Sequence, residues 1–282
     1  MNIVVCVKQV PDTSEVRVDS ETHNLIREGV PCILNPFDKN ALEEALRLRD
    51  ENGGSVAVVS MGPPQASAAL QECLQMGADS AVLLSDRAVG GSDTLATGYA
   101  LSELIRSLQP DLVLCGNEAI DGCTGQVGPC IAENLHMPQL TYVCKCDYQD
   151  GVMHVKRDVG STVECYIIKM PCVLCVVKGC NVPRTPGSTT AQIRTVSAAD
   201  IHLDPERIGR RGSPTQVVKI DVSGKTGGSY VDVDDSLSWE EKIHFIINGG
   251  IEMNKSVDLW RGGAESLADR LIRNEVISGF IR

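Results

Sequence analysis

Up to about position 140, short unbroken apolar runs alternate with segments whose apolar residues recur every three or four positions. Unbroken runs of that length suit strands buried on both faces, and the three-to-four spacing puts one stripe on a helix. Strands are expected at residues 2–7, 55–60, 80–84 and 112–115. A strong helix opens after the first strand with Pro36 near its first turn and Asp38 as candidate cap. Ala41, Leu42, Ala45, Leu46 and Leu48 form its stripe, and residues 52–54 (Asn-Gly-Gly) end it. A second helix follows Gly62-Pro-Pro64 and stops at Gly77, and a third runs from the 90–97 segment to about Leu108. The fourth carries Ile131 and Leu135 on one face, with Asp121 and Thr124 as candidate caps. Residues 16–19 and 24–27 read as a short hairpin. This alternation predicts an α/β fold, a mainly parallel doubly wound sheet with helices on both faces and right-handed crossovers.

Beyond residue 140 the period changes. Residues 144–147, 152–159 and 163–169 read as a small antiparallel meander with turns near Gln149-Asp-Gly151 and Gly160-Ser161. Residues 171–177 return as a buried strand, and 181–197, polar with Pro183, Pro186 and Gly187, read as a long exposed loop. Residues 198–237 are rich in Gly, Ser and Asp with little period, which suits a C-terminal arm lying on another surface or a disordered linker. Two short amphipathic helices are expected at 239–248 and 264–277. The expected divisions are 1–180, 181–197, 198–237 and 238–282.

The chain has 282 residues and a formal net charge of −11, which argues against a nucleic-acid backbone as partner. No stretch is long and apolar enough for a membrane span. Residues 1–6 read as a strand and not as a secretory leader, so a cytoplasmic location is the expectation. Twelve cysteines in such a chain are expected as reduced thiols. Cys172 and Cys175 have CxxC spacing, but three positions apart on a strand they point to opposite faces and would not share a metal. Cys144 and Cys146 could share a face, yet no second pair completes a metal set, and the five histidines are scattered singly. No metal site is expected.

In open sheets of this kind ligands bind beyond the carboxyl ends of the strands. Four post-strand segments would converge there: 8–13, 60–63, 90–97 and 116–128. The last contains Gly116, Gly122, Gly125 and Gly128, which let a backbone turn and approach a ligand, and it opens a helix whose first N–H groups suit a phosphate. An ordinary glycine-rich strand-to-helix connection is the plainer alternative. Neither a GxGxxG after the first strand nor a GxxxxGK[ST] is present.

Five of these segments, taken together, resemble the beta subunit of electron-transfer flavoproteins in order and spacing. They are Val7-Lys-Gln-Val-Pro-Asp-Thr13, Asn35-Pro-Phe-Asp38, Met61-Gly-Pro63, Ser92-Asp-Thr-Leu-Ala-Thr97 and the 116–129 segment. Pro138-Gln-Leu-Thr141 and the shorter Gly212-Ser-Pro-Thr215 are similar to later family segments. The resemblance implies an adenine-nucleotide α-hydrolase-like fold and an obligate alpha-subunit partner carrying the electron-transferring FAD. It implies an adenine nucleotide in the crevice: AMP as a structural ligand in one branch of the family, a second FAD that accepts hydride from NADH and bifurcates electrons in the other. The 7–13 segment resembles the second branch. Contacts carried over by motif position are Cys6, Asn35, Asp38, Met61, Asp93, Thr94, Thr97, Asn117, Asp121, Thr124, Gly125, Gln126, Val127 and Gly128. Lys8, Gln9, Val10, Pro11 and Asp12 would lie towards an isoalloxazine.

The resemblance further implies docking of an acyl-CoA dehydrogenase-type enzyme through the 181–197 loop. Asn181, Pro183 and Arg184 match there, while the aromatic and leucine expected just after them are missing. Residues 198–237 would form an arm onto the alpha subunit, 238–282 extend past the match, and ferredoxin or flavodoxin would take the low-potential electron. No Ser-His-Asp or Cys-His arrangement is needed. An ATP-using enzyme of the same broad fold would carry a Ser-Gly-Gly-rich loop where Lys8-Gln-Val-Pro11 stands.

Overall fold

The computed structural model describes residues 1–12, 31–215, Ser238 and Lys242, together with the backbone of 17–18 and 25–26. The strands are β1 (Asn2–Cys6), β2 (Gln9–Pro11), β3 (Arg17–Val18), β4 (Leu25–Ile26), β5 (Cys32–Leu34), β6 (Ser55–Met61), β7 (Ser80–Leu84), β8 (Leu112–Gly116), β9 (Gln139–Gln149), β10 (Val152–Asp158), β11 (Val163–Lys169), β12 (Cys172–Val176) and β13 (Ile193–Val196). The α-helices are α1 (Pro36–Asn52), α2 (Ser67–Met76), α3 (Thr94–Leu108) and α4 (Val127–Leu135). The expected helices at 239–248 and 264–277 lie almost wholly outside the described residues; the Lys242 N–H donates to the Ser238 carbonyl at 2.9 Å. Among the described residues no helix is long and apolar enough to cross a membrane.

One nine-stranded sheet runs β11-β10-β9-β12-β8-β1-β6-β7-β13. It is parallel from β13 to β9, and β10 and β11 continue it as an antiparallel meander. The meander is therefore an edge of the main sheet. The expected long loop at 181–197 ends differently, because β13 pairs with β7 from Ile193↔Ala81 to Val196↔Leu84. The expected loop after β1 is also a strand: β2 pairs with β5 in a two-stranded ribbon. Residues 198–215, expected as the start of an arm, fold onto the same unit, Met1–Val222, with Ala198, Leu203 and Ile208 buried in its core.

Helices cover both faces, as the doubly wound pattern requires. The stripe of α1 (Ala41, Leu42, Ala45, Leu46, Leu48) packs with Leu70 and Leu74 of α2 on one face of the sheet. On the other, Tyr99, Leu104 and Ile105 of α3 pack with Ile131 and Leu135 of α4. Alternate residues of each strand feed the two layers: Ile3 and Val5 belong to the first, Val4 and Cys6 to the second. The CxxC cysteines divide the same way, Cys172 to the first layer and Cys175 to the second. Burial pushes the Cys172 thiol up to about 12.

Cys6, Cys115 and Cys175 stand in register across β1, β8 and β12. This row of small side chains lets α4 approach the sheet closely. A Cβ at Gly128 would lie 2.3 Å from Cys175 Sγ, and one at Gly98 of α3 would lie 2.4 Å from Cys130 Cβ of α4. Gly128 is thus required by packing. Replacing it with alanine should cost about 1–3 kcal/mol, as overpacking typically does. Cys175→Ala in the same chain should recover part of the lost thermal stability because it removes the clashing sulfur. Equal losses with and without Cys175→Ala would contradict this contact as the cause.

Candidate functional site

The chain passes from β1 outward to β6 and β7, then returns to β8 on the opposite side of β1. The loops after β1 and β8 therefore diverge and leave a crevice at the switch point, the usual ligand position in open α/β sheets. Here the motif Asn35-Pro-Phe-Asp38 ties the two loops together. The Lys8 N–H donates to Asp38 Oδ2 at 2.7 Å and the Gly116 N–H to Oδ1 at 3.2 Å. Asn35 Nδ2 donates to the Glu118 carbonyl at 2.8 Å, and its Oδ1 accepts from the Ile120 N–H at 3.3 Å. The Asn35 N–H donates to the Lys8 carbonyl at 2.9 Å.

Asn35 is 0% exposed and Asp38 6%. Both are expected nucleotide contacts, and Asp38 is also the expected cap of α1. Their polar atoms hold the loops that form the crevice, and α1 has no side-chain cap. Burial raises the Asp38 carboxyl to about 7, against the opposing pull of the Asn35 amide and the Lys8 and Gly116 N–H groups. Asn117 is also buried: its N–H reaches the Val176 carbonyl at 2.8 Å and its Oδ1 accepts from the Tyr142 N–H at 2.9 Å. Gly116 is required by the same knot, since a Cβ there would lie 2.2 Å from Asp38 Oδ1.

The exposed wall of the crevice is made by other expected residues. Lys8 Nζ reaches both carboxylate oxygens of Asp121, at 2.8 and 2.6 Å, joining the two loops at the surface. Asp121 was expected with Thr124 to cap α4. The helix instead starts after Gln126 with no side-chain cap; Pro129 has no N–H and the Cys130 N–H bonds to the Gln126 carbonyl, so Val127 and Gly128 carry the first-turn N–H groups that no side chain caps. Gly125 has φ +61° and reverses the chain just before it. Thr94 Oγ1 donates to Gln126 Oε1 at 2.7 Å, bringing the starts of α3 and α4 side by side. Asp93 caps α3, accepting from the Leu95 and Ala96 N–H groups at 3.0 Å each. Cys6 and Val10 are buried; Gln9, Asp12, Met61, Thr97 and Val127 are half-buried; Pro11 and Thr124 are exposed.

The residues expected to dock a partner are engaged within the chain. Arg184 Nε and Nη2 grip Glu43 at 3.0 Å and Nη1 reaches Asp50 at 3.0 Å. Asn181 exchanges side-chain bonds with Asn40 at 2.8–3.0 Å. These bonds pin the loop to α1 and leave Val182 between them 90% exposed. Sequence reasoning missed the Lys8–Asp121 pair, although opposite charges just after adjacent strands were the available signal. It also gave no role to Ser213 and Thr215, which bond to Asp93.

A family model described as the electron transfer flavoprotein domain matches residues 22–201. The electron transfer flavoprotein subunit beta of Thermoanaerobacterium thermosaccharolyticum is 51% identical over 225 residues, 77% of this chain and 86% of that one. The caffeyl-CoA reductase-Etf complex subunit CarD of Acetobacterium woodii is 48% identical over 240 residues, 82% and 92% of the two chains. Protein FixA of Azotobacter vinelandii is 44% identical over 234 residues, 78% and 83%.

The knot makes a testable statement about pH. Asp38 holds its proton more tightly in the folded chain (about 7) than its ordinary 3.8. Its contribution to stability is therefore full below that ordinary value and is lost as pH rises towards 7. Asp38→Asn should lower stability overall, by about 1–3 kcal/mol for an unsatisfied N–H. It should also remove the downward slope expected of the native chain between pH 4 and 7 in urea melts. Parallel slopes in the two proteins would contradict the burial of an ionisable Asp38.

Proposed function

The chain belongs to the electron transfer flavoprotein beta-subunit family, and from that premise we propose that it binds FAD in the β1/β8 crevice and works in an electron-bifurcating complex. In this reading NADH is the hydride donor, and the alpha subunit carries a second FAD. Ferredoxin or flavodoxin and an acyl-CoA dehydrogenase-type enzyme receive the electrons, and the complex is cytoplasmic. The observation that supports a nucleotide in this crevice is the pair of helix starts, α3 and α4, joined by Thr94 and Gln126, and the choice of FAD rests on the resemblance of the 7–13 segment to the bifurcating branch. Two clustered helix N-termini favour a bound phosphate or diphosphate.

FAD, when bound, supplies acceptance of a hydride from NADH and single-electron delivery to two acceptors of different potential. The protein's part is to hold and orient it. The α4 N–H groups and Gln126 would hold the diphosphate, and Gly125 would let the chain approach it. The 8–12 segment, held by β5, would border the isoalloxazine. The Lys8–Asp121 pair places balanced charge at the mouth, and the buried Asp38–Asn35 knot keeps the two loops at a fixed spacing. Arg184 and Asn181 act by fixing the 179–184 segment on α1, which presents Val182 and Pro183 to the dehydrogenase. The relative CarD is a subunit of a caffeyl-CoA reductase-Etf complex, which supports this class of partner.

A second reading keeps AMP in the same place as a structural ligand, with no redox role for this chain. The phosphate-facing groups suit the adenylate of either molecule, so these groups do not separate the two.

Both readings require the crevice, and it can be tested by substitution. Asp121→Ala, or Gly125→Val at a position with φ +61°, should leave the purified complex depleted in this nucleotide several-fold relative to the alpha-subunit FAD. Full retention in both variants would overturn the site. Anaerobic titration then separates the readings. In the bifurcating one, NADH bleaches the flavin of the native complex within turnover time, whereas no bleaching by NADH would leave the AMP reading.

A further inference from the structure

The carboxylate of Asp93 serves two segments at once. Its Oδ1 caps α3 through the Leu95 and Ala96 N–H groups. Its Oδ2 accepts from the Thr215 N–H at 3.0 Å and from Thr215 Oγ1 at 2.7 Å. The Asp93 N–H in turn donates to Ser213 Oγ at 2.8 Å, and that hydroxyl donates to the Gly209 carbonyl at 2.6 Å. The Gly209 N–H closes the circuit on Ser92 Oγ at 2.9 Å. Backbone fit is equally close: a Cβ at Gly209, φ +60°, would lie 2.4 Å from the Ala88 carbonyl oxygen. The 209–215 segment is therefore seated on the residues that begin α3.

We infer that Thr215 is a positioning residue for the nucleotide crevice, acting through Asp93, so that the seating of the 209–215 segment and nucleotide affinity are coupled. The inference rests on the crevice reading given above. A carboxylate fixed by four donors cannot turn, and its orientation sets which first-turn N–H groups of α3 stay engaged. With the Leu95, Ala96 and Thr97 N–H groups bonded to Asp93, the Thr94 N–H is the first-turn donor left for a ligand. The Thr94 side chain fixes Gln126 of the facing helix start. Loss of the Thr215 bonds frees Asp93 to swing and loosens both helix starts. Partial desolvation would raise the Asp93 carboxyl, but the Ala96 and Thr215 N–H groups and the Thr215 hydroxyl outweigh it and hold the group below its ordinary value. The carboxylate thus stays ionised as the common acceptor. Coupling of this kind is reciprocal, so bound nucleotide must also hold the segment more firmly.

The test uses the full chain in complex with its alpha subunit, stripped of the nucleotide in this crevice and titrated with AMP, whose adenylate is common to both readings. Thr215→Val should weaken AMP binding roughly tenfold, the scale of one hydrogen bond to a charged group. Thr215→Ser should restore it, and without nucleotide Thr215→Val should melt somewhat below the native protein, with Thr215→Ser between them, because the Thr215 hydroxyl bond to Asp93 exists before any ligand binds. Hydrogen exchange at 209–215 should slow when AMP is added to the native complex and should not slow in Thr215→Val. Native affinity in Thr215→Val, or exchange at 209–215 indifferent to AMP, would overturn the coupling while leaving the crevice reading intact. Absence of AMP binding in the native complex would overturn the crevice reading and the coupling with it.

Discussion

The carboxylate of Asp38 lies at the topological switch of the sheet and takes the first free N–H from each of two neighbouring strand ends, Lys8 after β1 and Gly116 at the end of β8. Parallel strands that diverge in connectivity have nothing in their own ladders to fix the loops beyond them. A buried acceptor between them supplies that constraint, and Asn35 repeats it one layer further out by gripping Glu118 and Ile120. Because these groups are removed from water, breaking either leaves unsatisfied donors, a larger penalty than the bond itself is worth. The surface pair of Lys8 and Asp121 spans the same two loops, but its side chains are 50% and 28% exposed, and such pairs contribute little to stability. The inner clasp is buried and the outer one lies at the solvent-exposed surface.

The sheet follows the same logic of close approach. Cysteines in register across β1, β8 and β12, with Gly128 above Cys175, draw α4 down until its uncapped start stands beside that of α3. The positions of two helix N-termini, and hence of the charge they can stabilise, thus depend on small residues buried well beneath the crevice.

Much of this was legible in the sequence. Strands buried on both faces leave unbroken apolar runs, and the stripe of α1 and the Ile131–Leu135 face of α4 have helical spacing, so the doubly wound fold is legible in the sequence. Local polarity was a poorer guide to roles. Asn35, Asp38 and Asn117 stand in motif positions that suggest ligand contact, yet each bonds to backbone groups far away in sequence, which no spacing rule reveals. Arg184 and Asn181 have partners, Glu43 and Asn40, across the chain on α1, which the sequence pattern likewise does not reveal. The strand at Ile193–Val196 was hidden because it pairs only at the sheet's edge, where half-exposed polar residues are tolerated. Thr215 looked like an isolated match and gained a role only when Asp93 was seen beneath it.

Whether this crevice holds an adenine dinucleotide with a working flavin is read from the content of FAD and AMP per heterodimer after co-expression with the alpha subunit, by acid release and chromatographic separation. Two FAD and no AMP are expected. One FAD with one AMP would contradict the FAD reading and make the chain a nucleotide-stabilised docking subunit.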